Sequence, residues 1–117
     1  MKTETIFIQG LNQEVTFHIG KNQSENFEVI SKGGSNDIWF HVKNDSSCHV
    51  VSNIPSTISN KKQLSYIIKM GALLCKQNTN KLKSLKNVEI MFSLCKNIIK
   101  TPIAGTVITS EYKTILC

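Results

Sequence analysis

Polar and apolar residues alternate over residues 14–19, so that Val15, Phe17 and Ile19 would point to one side of a strand and Glu14, Thr16 and His18 to the other. The β-rich residues 5–9 lie just upstream across the turn-like residues 10–13, which predicts an opening hairpin with His18 as a solvated strand histidine. Alternation returns at residues 37–42. Ile38, Phe40 and Val42 would face a core, while Asp37, Trp39 and His41 share the more polar side, and a partner strand follows before the polar loop 53–59.

The period then changes. In residues 61–77 the positions Leu64, Ile67, Ile68, Gly71, Leu74 and Cys75 follow helical spacing, and Asn60 with Gln63 can cap the start. The opposite side carries Lys62, Tyr66, Lys69 and Lys76, either a solvated face or part of an electrostatic footprint. A shorter helix is predicted earlier: Asn22 and Glu25 have capping-box spacing, Phe27 and Ile30 lie within it, and Gly33-Gly34 can take the left-handed conformation that ends helices. Residues 78–87 read as a loop with Lys81, Lys83 and Lys86, residues 88–93 as a strand, and residues 105–116 as one or two more. The order ββ-α-ββ-α-ββ predicts one α+β domain over residues 1–117, with a mostly antiparallel sheet, one long amphipathic helix and one short helix.

The 117 residues suffice for a single core without staples. No apolar run approaches the roughly 20 residues of a membrane span, and the N-terminus lacks the pattern of a signal peptide. The expectation is a soluble cytoplasmic domain without membrane contact, in its own cell or, for a viral protein, in its host. Cys48, Cys75, Cys95 and Cys117 are widely spaced, unlike zinc or redox motifs, which leaves reduced thiols. Net charge is +6, and all 14 basic residues are lysine. Ammonium groups are hydrated point charges, without the bidentate fork with which guanidinium reads guanine, so a lysine-only surface should bind phosphate with modest sequence discrimination. Richness in Lys, Asn and Ile suggests an A+T-rich source genome.

The richest chemistry lies in "DIWFHVKNDSSCHV", residues 37–50. A metal would need His41, His49 and Asp37 or Cys48 to converge, yet adjacent Cys48 and His49 diverge on a strand. A thiolate nucleophile at Cys48 with His41 as base lacks an oxyanion-hole pattern. Two readings remain open: histidines bracing a strand–loop–strand unit, or a ligand surface on which Trp39 stacks a base and His41 and His49 donate hydrogen bonds beside the Ser46-Ser47 loop. If His41 lies opposite His49 both face one way; a slip of one residue separates them.

"DIWFHV" followed by "HV" at residues 49–50 closely resembles the NFACT-R domain, the RNA-binding module of the NFACT proteins. "GKNQSEN" (20–26) resembles the family's glycine-basic-asparagine approach to its first helix, and "IMFSLCKNIIK" (90–100) its strand with a lysine-asparagine motif, with Phe92 where tyrosine is usual. "PIAGTVI" (102–108) and "KTI" (113–115) resemble its closing segments, so the resemblance covers residues 15–117. Ser47-Cys48 stands where many members have glycine-serine, a form closer to the stand-alone eukaryotic members, whose coiled coil is missing here. The chain is expected to be a minimal one-domain protein or an excised domain. The resemblance implies a non-enzymatic, cofactor-free and metal-free module that binds RNA of the tRNA or rRNA type or single strands, with DNA as a variant, in ribosome-associated quality control on the large ribosomal subunit. The site residues would be Lys21, Asp37, Trp39, His41, Ser47, His49, Lys96, Asn97 and Lys100. The alternative is a module docking on a ribosomal or other protein.

Overall fold

The computed structural model describes residues 1–103, 106–109 and 111–117. The predicted opening hairpin is present and longer than expected: β1 (Lys2–Ile8) pairs with β2 (Gln13–Gly20) across a short 3-10 turn, and Asn12 takes the left-handed conformation at φ 54°. Helix α1 (Gln23–Ser31) follows, then β3 (Ile38–Val42), β4 (His49–Ser52), helix α2 (Lys61–Gln77) and β5 (Glu89–Leu94). Beyond β5 the chain forms β6 (Ile98–Lys100), β7 (Val107–Thr109) and β8 (Lys113–Leu116). The expectation of strand from Gly105 onward falls, at that residue, outside the described residues. The six-stranded sheet runs β1-β2-β4-β3-β5-β8 with every neighbouring pair antiparallel, and β6-β7 forms a separate hairpin.

Both helices start as expected. The Asn22 side chain accepts the Glu25 N–H at 2.9 Å, and the Asn60 side chain accepts the Gln63 N–H at 2.8 Å, each satisfying a first-turn amide that the helix leaves free. The end of α1 differs. Its last cap, Lys32, is right-handed (φ −80°), and neither Gly33 nor Gly34 takes the left-handed conformation. Gly33 serves packing instead, because a Cβ there would lie 2.6 Å from Cys95 Sγ.

The sheet is covered on both faces. On one face α2 packs over Val15, Phe17, Ile19, Ile38, Phe40, Val42 and Val50, with Gly71 placed so that any Cβ would sit inside the Phe40 ring. The residues expected on the core side of β2 and β3 are therefore there. On the other face α1 and the β6-β7 hairpin enclose a second, smaller core of Val29, Ile30, Trp39, Val51, Cys95 and Ile98. Two residues of the supposedly exposed stripe of α2 are occupied: Tyr66 lies over Gly10, and Lys76 Nζ donates to the Cys117 carbonyl at 3.1 Å. Among the described residues no helix is long and apolar enough to cross a membrane.

Candidate nucleic-acid interface

The register of β3 and β4 decides the arrangement of the histidines. Ile38, Trp39 and Phe40 pair with Ser52, Val51 and Val50, and one more step along that register sets His41 opposite His49. Both imidazoles therefore lie on the face away from α2, with ring centroids 4.6 Å apart and planes at 76°. Trp39 shares that face, stacked nearly parallel to His41 (5°, centroids 5.7 Å) and edge-on to His49.

Trp39 does not stand on a polar surface. It is 1% exposed, closed in by α1 and the β6-β7 hairpin, so it braces a core where the ligand-surface reading had it stacking a base. Its indole Nε1–H donates to His49 Nδ1 at 3.2 Å. That bond makes Nδ1 an acceptor and leaves the proton of neutral imidazole on Nε2. Burial, with the neighbouring His41 charge as a lesser cause, holds the His49 pKa down to about 3, so the ring is neutral near pH 7. Burial also lowers the His41 pKa, against smaller opposing effects of the Val42 backbone and the Asp45 carboxylate.

A concavity of about 390 Å³ opens over these rings, walled by Gln23 and Asn26 of α1, Ser46 and Ser47 of the β3–β4 loop, Met91 of β5, and Thr106, Val107 and Thr109 of the hairpin. Gly20 explains how α1 comes so close. Paired with His49, it would, given a Cβ, press that atom to 2.8 Å from the Glu25 backbone and 2.9 Å from Asn26 Oδ1. Asn26 is itself buried, and its Oδ1 has no hydrogen-bond partner among the described residues. Ser47, where glycine is common, is not left-handed; its hydroxyl accepts the Val42 N–H at 3.1 Å and donates to the Cys48 carbonyl at 2.9 Å, bracing the loop. Asp45 holds the same loop to Lys81 Nζ at 2.6 Å, and that hydrogen bond keeps the carboxylate below its usual pKa.

Other expected site residues separate from this group. Asp37 sits at the far end of β3, where its carboxylate accepts the N–H groups of Gly34 and Ile54, each at 2.8 Å, and Asn53 Nδ2 at 3.0 Å. Asn53 Oδ1 in turn lies 2.8 Å from His18 Nε2, so His18 is not a freely solvated histidine but is held between Asn53 and Thr3. Asp37 thus fixes the start of the strand and, through Asn53, a histidine remote from the pair. Asn97 lines a different concavity, with Leu64, Phe92 and Tyr112, and its Nδ2 donates to Ser93 Oγ at 3.4 Å. Cys48 points to the α2 side, where its thiol donates to the Cys75 carbonyl at 3.2 Å, so thiol and histidines lie on opposite faces.

The three expected lysines are distributed along α1. Lys21 precedes its cap, and its N–H donates to Glu25 Oε1 at 3.1 Å. Lys100 Nζ lies 5.4 Å from the Phe27 ring centroid, a cation–π contact at mid-helix. Lys96 follows Cys95, which packs against Gly33 just past the helix end. Asn26 and Gln23 were missed by sequence reasoning. The one available signal was Asn26 closing the "GKNQSEN" motif, and nothing local showed that it would be buried.

Comparison with known proteins agrees with this architecture. Residues 5–111 match the family described as NFACT protein RNA binding domain. Coiled-coil domain-containing protein 25 of Danio rerio is 30% identical over 86 residues, which is 74% of this chain and 42% of that protein. The Mus musculus protein of the same name is also 30% identical, with 41% of its length covered. The chain thus spans under half the length of the curated relatives it matches. Among solved structures, the C-terminal part of the fibronectin/fibrinogen-binding protein from Streptococcus suis superposes with a TM-score of 0.78 at 22% identity, covering 99% of this chain and 45% of the other. It shares the fold.

Proposed function

The chain belongs to the NFACT protein RNA-binding domain family, and on that premise we propose that it binds RNA through the layer formed by α1, the β3–β4 loop and the β6-β7 hairpin. The observation that carries this reading is that Lys100 lies over Phe27 at the middle of α1, while Lys21 immediately precedes its N-cap and Lys96 adjoins Cys95, which packs against Gly33 past its end, the nine helical residues extending about 13 Å. These ammonium groups form a track for the sugar-phosphate backbone. Lys62 and Lys69 belong to α2, on the opposite face of the sheet, so they lie off that track. The RNA is of the ribosomal or transfer class, bound in its single-stranded or looped parts, in the cytoplasm and on the large ribosomal subunit. The site binds and does not catalyse.

The test is affinity for single-stranded and tRNA-like RNA against salt. About four neutralised phosphates give a slope of log K on log salt near −3, since each contributes about −0.7. Lys21→Ala and Lys100→Ala should each flatten the slope by about 0.7 and weaken all sequences alike. Equal affinity and slope in wild type and double variant would remove these lysines from the interface, and equal binding of DNA would widen the substrate class.

A second reading, docking on a protein, has its own support in Ile99, Ile103 and Ile108, which are 60–68% exposed on and beside the hairpin. Absence of RNA binding at both low and physiological salt would favour it.

A further inference from the structure

We propose that the concavity over His41 and His49 receives a single unstacked nucleobase of the bound RNA, with the His41 ring as stacking platform and His49 Nε2–H as donor to the base edge. The proposal deepens the RNA-binding reading and rests on it.

The lining argues for a base and against a phosphate. Among the described residues no lysine borders the concavity, and its two imidazoles are the only groups in it that could become cationic. An anion placed there would meet amides, hydroxyls and neutral rings, while the lysines lie around it: Lys21 next to Gly20, which pairs with His49, and Lys100 paired with Val107. The chamber thus suits a flat, uncharged group with a polar edge, and the lysines suit the flanking phosphates. At about 390 Å³ it falls in the range of about 300–1,000 Å³ typical of small-ligand sites.

The ring geometry supplies the orientation. Trp39 and His41 already form a two-ring stack, with the indole buried and the imidazole partly exposed, so a base laid on His41 extends the stack by one ring. His49 stands nearly perpendicular to His41 beside it. Its Nδ1 accepts from Trp39, so the proton of the neutral ring stands on Nε2, which leaves a fixed donor for a base carbonyl or ring nitrogen. Asn26 lines the same concavity, and its buried Oδ1, without a hydrogen-bond partner among the described residues, lies beside Gly20, the strand partner of His49. Met91 and Val107 give apolar sides to the ring.

The experiment compares three oligonucleotides of equal length and charge: an ordinary single-stranded RNA, a fully abasic backbone, and the abasic backbone with one central base restored. Base–aromatic stacking predicts that one base raises affinity on the order of 10-fold or more over the abasic backbone, and that further bases add much less per base. His41→Ala should reduce that gain towards 1 with the salt slope unchanged, whereas His41→Phe, which keeps a flat ring, should retain it. Equal affinity for abasic and ordinary oligonucleotides, or a gain that survives His41→Ala, overturns the base site and leaves lysine-driven binding standing. No binding of any of the three at low salt overturns the RNA-binding reading and the base site together.

Discussion

Acidification should expose the state of His49 directly. Its folded pKa is about 3 against an ordinary value of 6.5, so between those two pH values the unfolded chain binds a proton that the folded chain refuses. Stability is therefore full above pH 6.5 and is lost as pH falls towards 3. At 1.36 kcal/mol per pKa unit, His49 alone removes about 2 kcal/mol by pH 5 and about 5 kcal/mol across the whole window. The lowered pKa of His41 acts in the same direction. Burial of the ring is the main cause and the neighbouring His41 charge the lesser one, and a proton on Nδ1 would in addition confront the Trp39 N–H that now donates to it. Urea unfolding at pH 7, 6 and 5, followed by circular dichroism, measures the slope. His49→Gln supplies the reference, because an amide carbonyl can still accept from Trp39 but does not titrate. The wild type should lose about 2 kcal/mol more than the variant between pH 7 and 5. Parallel losses, or an NMR titration of His49 with a midpoint near 6.5, would refute the reasoning.

Gly20→Ala should cost about 1–3 kcal/mol, because the new Cβ meets helix backbone at 2.8 Å; an unchanged Tm would contradict that crowding. Asp37→Ala removes the acceptor of three N–H groups and should cost about 2–3 kcal/mol while leaving the RNA affinity of the folded protein unchanged, as titrations below Tm would show. Trp39 is the chain's one tryptophan, so acrylamide should quench native fluorescence weakly and urea-unfolded fluorescence strongly; strong native quenching would place the ring at the surface. Of the four thiols, Cys117 should react first with a disulfide reagent, since Cys48, Cys75 and Cys95 are buried.

The parts of the fold legible in the sequence were those set by local periodicity. Val15-Phe17-Ile19 and Ile38-Phe40-Val42 alternate because one side of the sheet meets α2, and Asn22 and Asn60 announce helix starts because capping is a contact between near neighbours. Reading Trp39 as standing on a polar side failed for the converse reason. The second cover of the sheet comes from a short helix and a hairpin rich in Lys, Thr and exposed Ile, whose sequence does not advertise a buried side. The pairing of His41 with His49 depended on inter-strand register, which alternation leaves undetermined. Asn97 illustrates another limit: three residues from Lys100 in sequence, it lines a separate hollow because the 3-10 turn after β5 redirects the chain. Asn26 gained its place from the closeness of α1 to Gly20, a contact across two elements.

The hydrogen bond from Trp39 to His49 has a consequence for how selectivity varies with ionic strength. A buried indole has determined which nitrogen of the imidazole keeps its proton, and so has made a neutral donor whose pull is not shared out among every anion in solution. Salt erodes the lysine contacts and leaves such a donor almost untouched. As salt rises, the affinity that survives should depend less on how many phosphates a strand carries and more on which base it presents. The protein would then be least discriminating in dilute buffer and most discriminating where binding is weakest.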